Sequence, residues 1–104
     1  MSSGAKVTYR RFSARDVPAA SRLSAAVGWA HREEDWAFVR ALGSGWVAVG
    51  EGEVRGTVLT WRHDARHGSL GMVIVEPAWQ GRGIAKRLVA KALEDLGDRS
   101  VMEN

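Results

Sequence analysis

The block LGMVIVEP, Leu70 to Pro77, constrains the fold more than any other stretch of the chain. Its apolar residues follow one another without the polar–apolar alternation of a strand that has one wet face. A strand made from it is covered on both faces and lies inside a sheet. Pro77, which cannot donate to a ladder, ends it. Directly afterwards the chain passes through AWQGRG into IAKRLVAKALEDLG, where Ile84, Leu88, Val89, Ala92, Leu93 and Leu96 recur on one helical face and Gly97 closes the helix. A buried strand, a glycine turn and an amphipathic helix in succession describe one crossover unit of a sheet with helices packed on it.

The remaining segments fit around that unit. KVTYRRF alternates, with Val7, Tyr9 and Phe12 as its apolar set, and reads as an opening strand. Asp16 is placed to cap a helix that has Pro18 in its first turn, Ala20, Leu23, Ala26 and Val27 at helical spacing, and Gly28 as its stop. Glu33, Glu34 and Asp35 suit the positive end of a second helix with Trp36, Val39 and Leu42 on its apolar face and Gly43 at its end. GWVAVG and VRGTVLTW, joined by Glu51, Gly52 and Glu53, form a hairpin. RHDARHG is turn-like, and RSVMEN opens a further strand. The expected class is α/β or α+β: a mixed, mostly antiparallel sheet flanked by helices.

Length and composition narrow the setting. A chain of 104 residues holds one modest core, so a single domain over 1–104 is expected. With no cysteine, disulfides, thiolate chemistry and cysteine-based zinc sites are excluded, and no metal is expected. MSSGAK lacks the apolar core of a signal peptide, and no run approaches the roughly 18 apolar residues of a membrane span, so a cytoplasmic protein with no membrane partner is expected. The formal net charge of +3 fits an anionic ligand and equally fits an ordinary soluble surface.

The chemistry concentrates at QGRGIAK. Free backbone N–H groups from Gly81 to Lys86 lie on one side of a turn that glycine lets a ligand approach closely. Together with the helix dipole they make an anion site without any side chain. Arg82, Lys86, Arg87 and Lys91 add positive charge, with no acid between positions 82 and 91. The plainer alternative is a glycine turn followed by a solvated basic face. Two familiar phosphate loops fail: nothing matches G-x-x-x-x-G-K-[ST], and in a dinucleotide fingerprint Lys86 stands where the third glycine belongs.

Val75-Glu76-Pro77 followed by Gln80-Gly81-Arg82-Gly83-Ile84-Ala85 resembles the acyl-CoA motif of the GNAT superfamily of N-acyltransferases, a strand ending V-x-P and then [QR]-x-x-G-x-[GA] at a helix start. The order of elements from Val7 to Asn104 is similar to that family's first five strands and three helices. The resemblance implies that acetyl-CoA is the co-substrate. Gly81, Arg82, Gly83, Ile84, Ala85 and Lys86 would hold its pyrophosphate through backbone amides, with Gln80 also among the cofactor-binding residues, and backbone groups of Val73, Ile74 and Val75 would pair with its pantetheine arm beside a β-bulge. It implies acyl transfer to an amine by direct attack after a base removes the ammonium proton. His31 and Glu33, in the loop that helps wall the acceptor site in the family, are the candidate bases. Glu34, His63, Asp64 and His67 are further candidates, the acids also serving as helix-start stabilisers and the histidines as solvated loop residues.

Family members continue past the fifth strand into a fourth helix and two more strands. The chain is therefore expected to be truncated after about its fifth strand, with a homodimer completing the sheet edge. A non-catalytic or partner-dependent acyl-CoA-binding domain is the alternative to an enzyme. A small nucleic-acid binder ranks behind both, since no recognised motif for one is present.

Overall fold

The computed structural model describes residues 6–28, 44–62, 66–97 and 100–103. Strand β1 (Val7–Arg11) leads through a 3-10 turn at Ala14–Asp16 into helix α1 (Val17–Ala26). Strands β2 (Ser44–Gly50), β3 (Glu53–Arg62) and β4 (His67–Val75) follow; a second 3-10 turn at Pro77–Trp79, helix α2 (Ile84–Leu96) and strand β5 (Ser100–Glu103) complete the order. The expected second helix, with Trp36, Val39 and Leu42, lies outside the described residues, as do His31, Glu33, Glu34, His63 and Asp64.

One sheet runs in the order β1-β2-β3-β4-β5. The first four strands are antiparallel neighbours, and β5 is parallel to β4, with α2 as the crossover between them. This is the mixed, mostly antiparallel sheet that the sequence leads one to expect. The β2–β3 hairpin closes on two residues, Glu51 (φ 54°) and Gly52 (φ 80°), with Gly50 already paired to Glu53. Two consecutive positive φ values mark a hairpin turn whose twist matches that of its strands. Glu53, read from the sequence as part of the connection, belongs to the strand.

Each face of the sheet carries its own helix and its own core. On one side α1 sets Val17, Ala20 and Leu23 against Val47, Leu59, Ile74 and Phe12. On the other, α2 sets Ile84, Leu88, Ala92 and Leu96 against Ala48, Val58, Leu70 and Val75. The unalternating apolar block is explained by this sandwiching, since Ile74 serves one layer while Leu70 and Val75 serve the other. Leu93 departs from the sequence reading. It is 44% exposed, because the buried stripe of α2 runs 84, 88, 92, 96 and position 93 lies to one side of it.

Asp16 also departs. It precedes α1, and Pro18 does lie in the first turn, but the carboxylate makes no capping bond to α1. It turns back to accept from the Ser13 N–H at 2.8 Å and from both terminal nitrogens of Arg10 at 2.9 Å. The residue therefore closes the turn before the helix and ties it to β1.

Candidate functional site

The site is built around an irregularity in β4. Thr57 pairs with Ile74 and Leu59 with Gly71, so Met72 and Val73 together stand opposite the single residue Val58. Met72 takes φ 53°, a left-handed conformation rare outside glycine. This β-bulge solves a parity problem. Leu70 and Val75 are five positions apart and would point to opposite faces of a regular strand; the extra residue lets both reach the α2 layer. The Met72 carbonyl accepts the Thr57 hydroxyl at 2.9 Å, and Thr57 is wholly buried.

The bulge coincides with a change on the other edge of β4. Pairing to β5 covers His67 to Leu70 and ends there. From Gly71 to Val75 the strand has no neighbour on that side among the described residues. A pocket of about 350 Å³ opens at this point. Its floor is Val73 and Val75, and its far wall is the start of α2 with Gly83, Ile84, Ala85 and Lys86.

Gly81 (φ 83°) and Gly83 (φ 77°) bend the chain between strand and helix, and Gly83 is the N-cap of α2. The Arg87 N–H donates to the Gly83 carbonyl at 3.1 Å, the opening bond of the helix. The N–H groups of Gly83, Ile84, Ala85 and Lys86 therefore precede every intrahelical acceptor, and glycine has no side chain with which to cap them. They lie at the positive end of the α2 dipole, beside the exposed Lys86. Such an arrangement binds an oxyanion through main-chain donors. Gln80 has a different task. Its Nε2 donates to the Val75 carbonyl at 3.0 Å, which fastens the turn to the end of β4.

A second layer supports the turn from beneath. Trp79 is buried, with the Arg55 guanidinium 4.7 Å and the Arg82 guanidinium 4.5 Å from its ring centre. Arg55 is the extra residue of a bulge in β3, since Val49 pairs with Val54 and Ala48 with Gly56. It donates to the Gly50 carbonyl at 2.9 Å and to both carboxylate oxygens of Glu76 at 3.0 Å. A side chain at Gly50 would meet the Trp79 ring at 2.6 Å, so the indole rests directly on β2 backbone. Hairpin tip, strand end and glycine turn are thereby joined in one packed unit.

Of the residues singled out in the sequence, Val73, Val75, Gln80, Gly81, Gly83, Ile84, Ala85 and Lys86 all line the pocket. The Ile74 side chain packs into the α1 layer, leaving only its backbone on the open edge. Arg82 lies against Trp79. His67 is exposed at the start of β4, paired to Ser100 of β5 and outside the pocket lining. Sequence reasoning passed over Trp79, Arg55, Glu76 and Thr57. Trp79 is one of five tryptophans, and only the adjoining Q-G-R-G gave a reason to separate it from the rest. Tyr9, the single tyrosine, is half-buried on the α2 side with Lys91 5.8 Å from its ring centre. Burial pushes its phenol up, against the opposing pull of Arg87.

Comparison with known proteins gives the same picture. The sequence matches the family described as Acetyltransferase (GNAT) family over residues 12–103. No curated protein matches it. Among solved structures, a fungal GCN5-related glucosamine N-acetyltransferase region of a multi-domain GH3 beta-N-acetylglucosaminidase superimposes with a TM-score of 0.84 at 22% identity, covering 96% of this chain and 14% of that one. Ard1 from Thermoplasma volcanium gives 0.80 at 16% identity, over 86% of this chain and 63% of the other. Rv2747 from Mycobacterium tuberculosis, solved in complex with CoA, gives 0.77 at 24%, over 92% and 63%. The chain thus spans 14% of the first of these proteins and 63% of each of the other two.

Proposed function

The chain belongs to the GNAT acetyltransferase family, and from that premise we propose that it binds acetyl-CoA in the pocket between β4 and α2 and transfers the acetyl group to an amine. One observation carries the reading: a strand edge unpaired among the described residues and a helix start with no side-chain cap, the two surfaces that an extended amide arm ending in a diphosphate requires, border the same cavity. The diphosphate is held by the N–H groups of Gly81 to Lys86, with the Lys86 ammonium adding charge. The pantetheine amides pair with the free edge of Val73 to Val75 as an added strand would. Gln80 contributes by holding the Val75 carbonyl and so fixing the distance between the two surfaces. The complex of Rv2747 with CoA supports the same choice of donor.

In the transfer step the amine lone pair attacks the thioester carbonyl. The C–N bond forms and the C–S bond breaks; the acylated nitrogen gives up its extra proton, the thiolate takes one up, and the products are the amide and free CoA. The ammonium form must first lose its proton to a base within reach, directly or through water. His31 and Glu33 are the proposed bases.

Calorimetric titration with acetyl-CoA, followed by a thiol-release assay against a panel of amines, tests the proposal. Saturable binding and amine-dependent release of CoA are expected. No heat at millimolar ligand removes the donor assignment, whereas binding without thiol release from any amine leaves a CoA-binding domain and removes the enzyme.

A further inference from the structure

Thr57 touches neither the pocket nor the helix start, yet it bonds the one residue on which the pocket's register depends. Its neighbours across the sheet are Val47 and Ile74, both in the α1 layer, so its side chain faces away from the cavity. It is wholly buried, and its hydroxyl donates to the Met72 carbonyl at 2.9 Å. Met72 is the left-handed residue of the β4 bulge, where an unbranched but ordinary side chain is held at φ 53°. A bulge takes one residue out of the ladder, and a partly buried carbonyl displaced in this way is satisfied by a donor from elsewhere, here the buried Thr57 hydroxyl. Valine at position 57 would fill nearly the same space and supply none.

What depends on the bulge is the identity of the residues that face the donor. With it, Val73 and Val75 floor the pocket and Ile74 points to the α1 layer. If Met72 relaxed into a regular strand, everything between the bulge and Pro77 would shift by one place or strain the turn. The backbone groups offered along the open edge would then change, while the N–H groups at the start of α2 would not.

We infer that Thr57 is a positioning residue, whose hydroxyl fixes the Met72 bulge and so sets the register of Val73 to Val75 toward the pantetheine arm of the donor. The inference rests on the proposed binding of CoA in this pocket. It separates the two ends of the ligand: Thr57 governs the arm and leaves the diphosphate alone.

The test uses two probes, CoA, which has both parts, and ADP, which has a diphosphate and no arm, titrated by NMR into the ¹⁵N-labelled full chain. Thr57→Val is expected to weaken CoA about tenfold and ADP less than twofold, and Thr57→Ser, which keeps the hydroxyl, to restore CoA to within about twofold of the original. Met72→Val provides a second route should the first variant fail to fold, because a β-branched residue resists the left-handed conformation. The same arm-selective loss is expected from it. Equal weakening of both probes, which a general loosening of the fold would produce, overturns the inference, as does a Thr57→Val protein that binds CoA normally. Failure of the original chain to bind CoA at all would instead remove the donor assignment on which the inference stands.

Discussion

Asp16 shows how much a single buried charge can commit to a fold. Only 3% of it is exposed, and burial by itself would push its carboxyl up. The Arg10 guanidinium, with the N–H and hydroxyl of Ser13, outweighs that penalty and holds the group below the ordinary carboxylate range. A carboxyl that is more acidic in the folded chain than in the unfolded one favours folding wherever it is ionised. Its contribution is therefore complete above the unfolded value of about 4 and fades as the pH falls through the lower, folded value. Asp16→Asn is expected to cost about 2 kcal/mol at pH 7 and to cost progressively less below pH 4. Urea unfolding of both proteins between pH 3 and pH 7 measures this. A difference that stayed constant with pH would mean that the bond geometry, rather than the charge, holds the turn.

The β4–turn–α2 unit shows which parts of an element a sequence discloses. The unalternating strand, the stop at Pro77, the helix face through Leu88 and Ala92, and the two glycines were all legible, because each rests on a local rule about backbone or periodicity. A bulge beside this strand is implied by the family resemblance, but its place was not legible, since Met72 is an unremarkable residue for a strand and only the competing demands of Leu70 and Val75 force it out of register. Nor was the Arg55–Trp79–Arg82 stack, which joins positions far apart in the chain. Asp16 holds the N-cap position that the sequence assigns it, but without a capping bond, for a similar reason: a cap signal is local, and the partner that captures its side chain, Arg10, lies on the preceding strand.

The glycines at the two ends of α2 then allow a controlled comparison. Gly83 (φ 77°, ψ 12°) is left-handed and Gly97 (φ 62°, ψ −129°) takes a positive φ with an extended ψ, and a Cβ at either would meet nothing within 4 Å. Alanine should cost about 1 kcal/mol at Gly83 and more than that at Gly97 from backbone conformation alone. Gly83→Ala is further expected to weaken acetyl-CoA at least tenfold, since any relief of the strain turns the N–H groups of residues 83–86 away from the pocket. Gly97→Ala should leave affinity within twofold. Calorimetry paired with thermal melts checks this, and a similar loss of affinity from both would show that helix stability, rather than the turn, governs binding.

At the scale of the whole molecule, the two hydrophobic layers share the sheet, and among the described residues they share it residue by residue. Val58 belongs to the α2 layer and its neighbour Leu59 to the α1 layer; Val75 and Ile74 divide in the same way. Neither layer can open while β3 and β4 keep their register, and a lost register moves every side chain on both strands to the wrong face. The layers should therefore melt as one cooperative unit, although α1 and α2 lie on opposite sides of the sheet. Leu59→Ala in one layer and Leu88→Ala in the other, both at fully buried positions, are each expected to cost 2–5 kcal/mol by the usual scale of about that size for leucine truncation. Each should lower a single shared transition by roughly 4–8 °C per kcal/mol. Thermal unfolding followed by far-ultraviolet circular dichroism and by tryptophan fluorescence should give coincident curves for both variants. Two resolved transitions, with each variant moving only one of them, would mean that a layer can come apart with the other intact. The pocket, whose floor and wall belong to the α2 layer while the bulge beneath it is held from the α1 side by Thr57, would then be only as stable as the weaker layer.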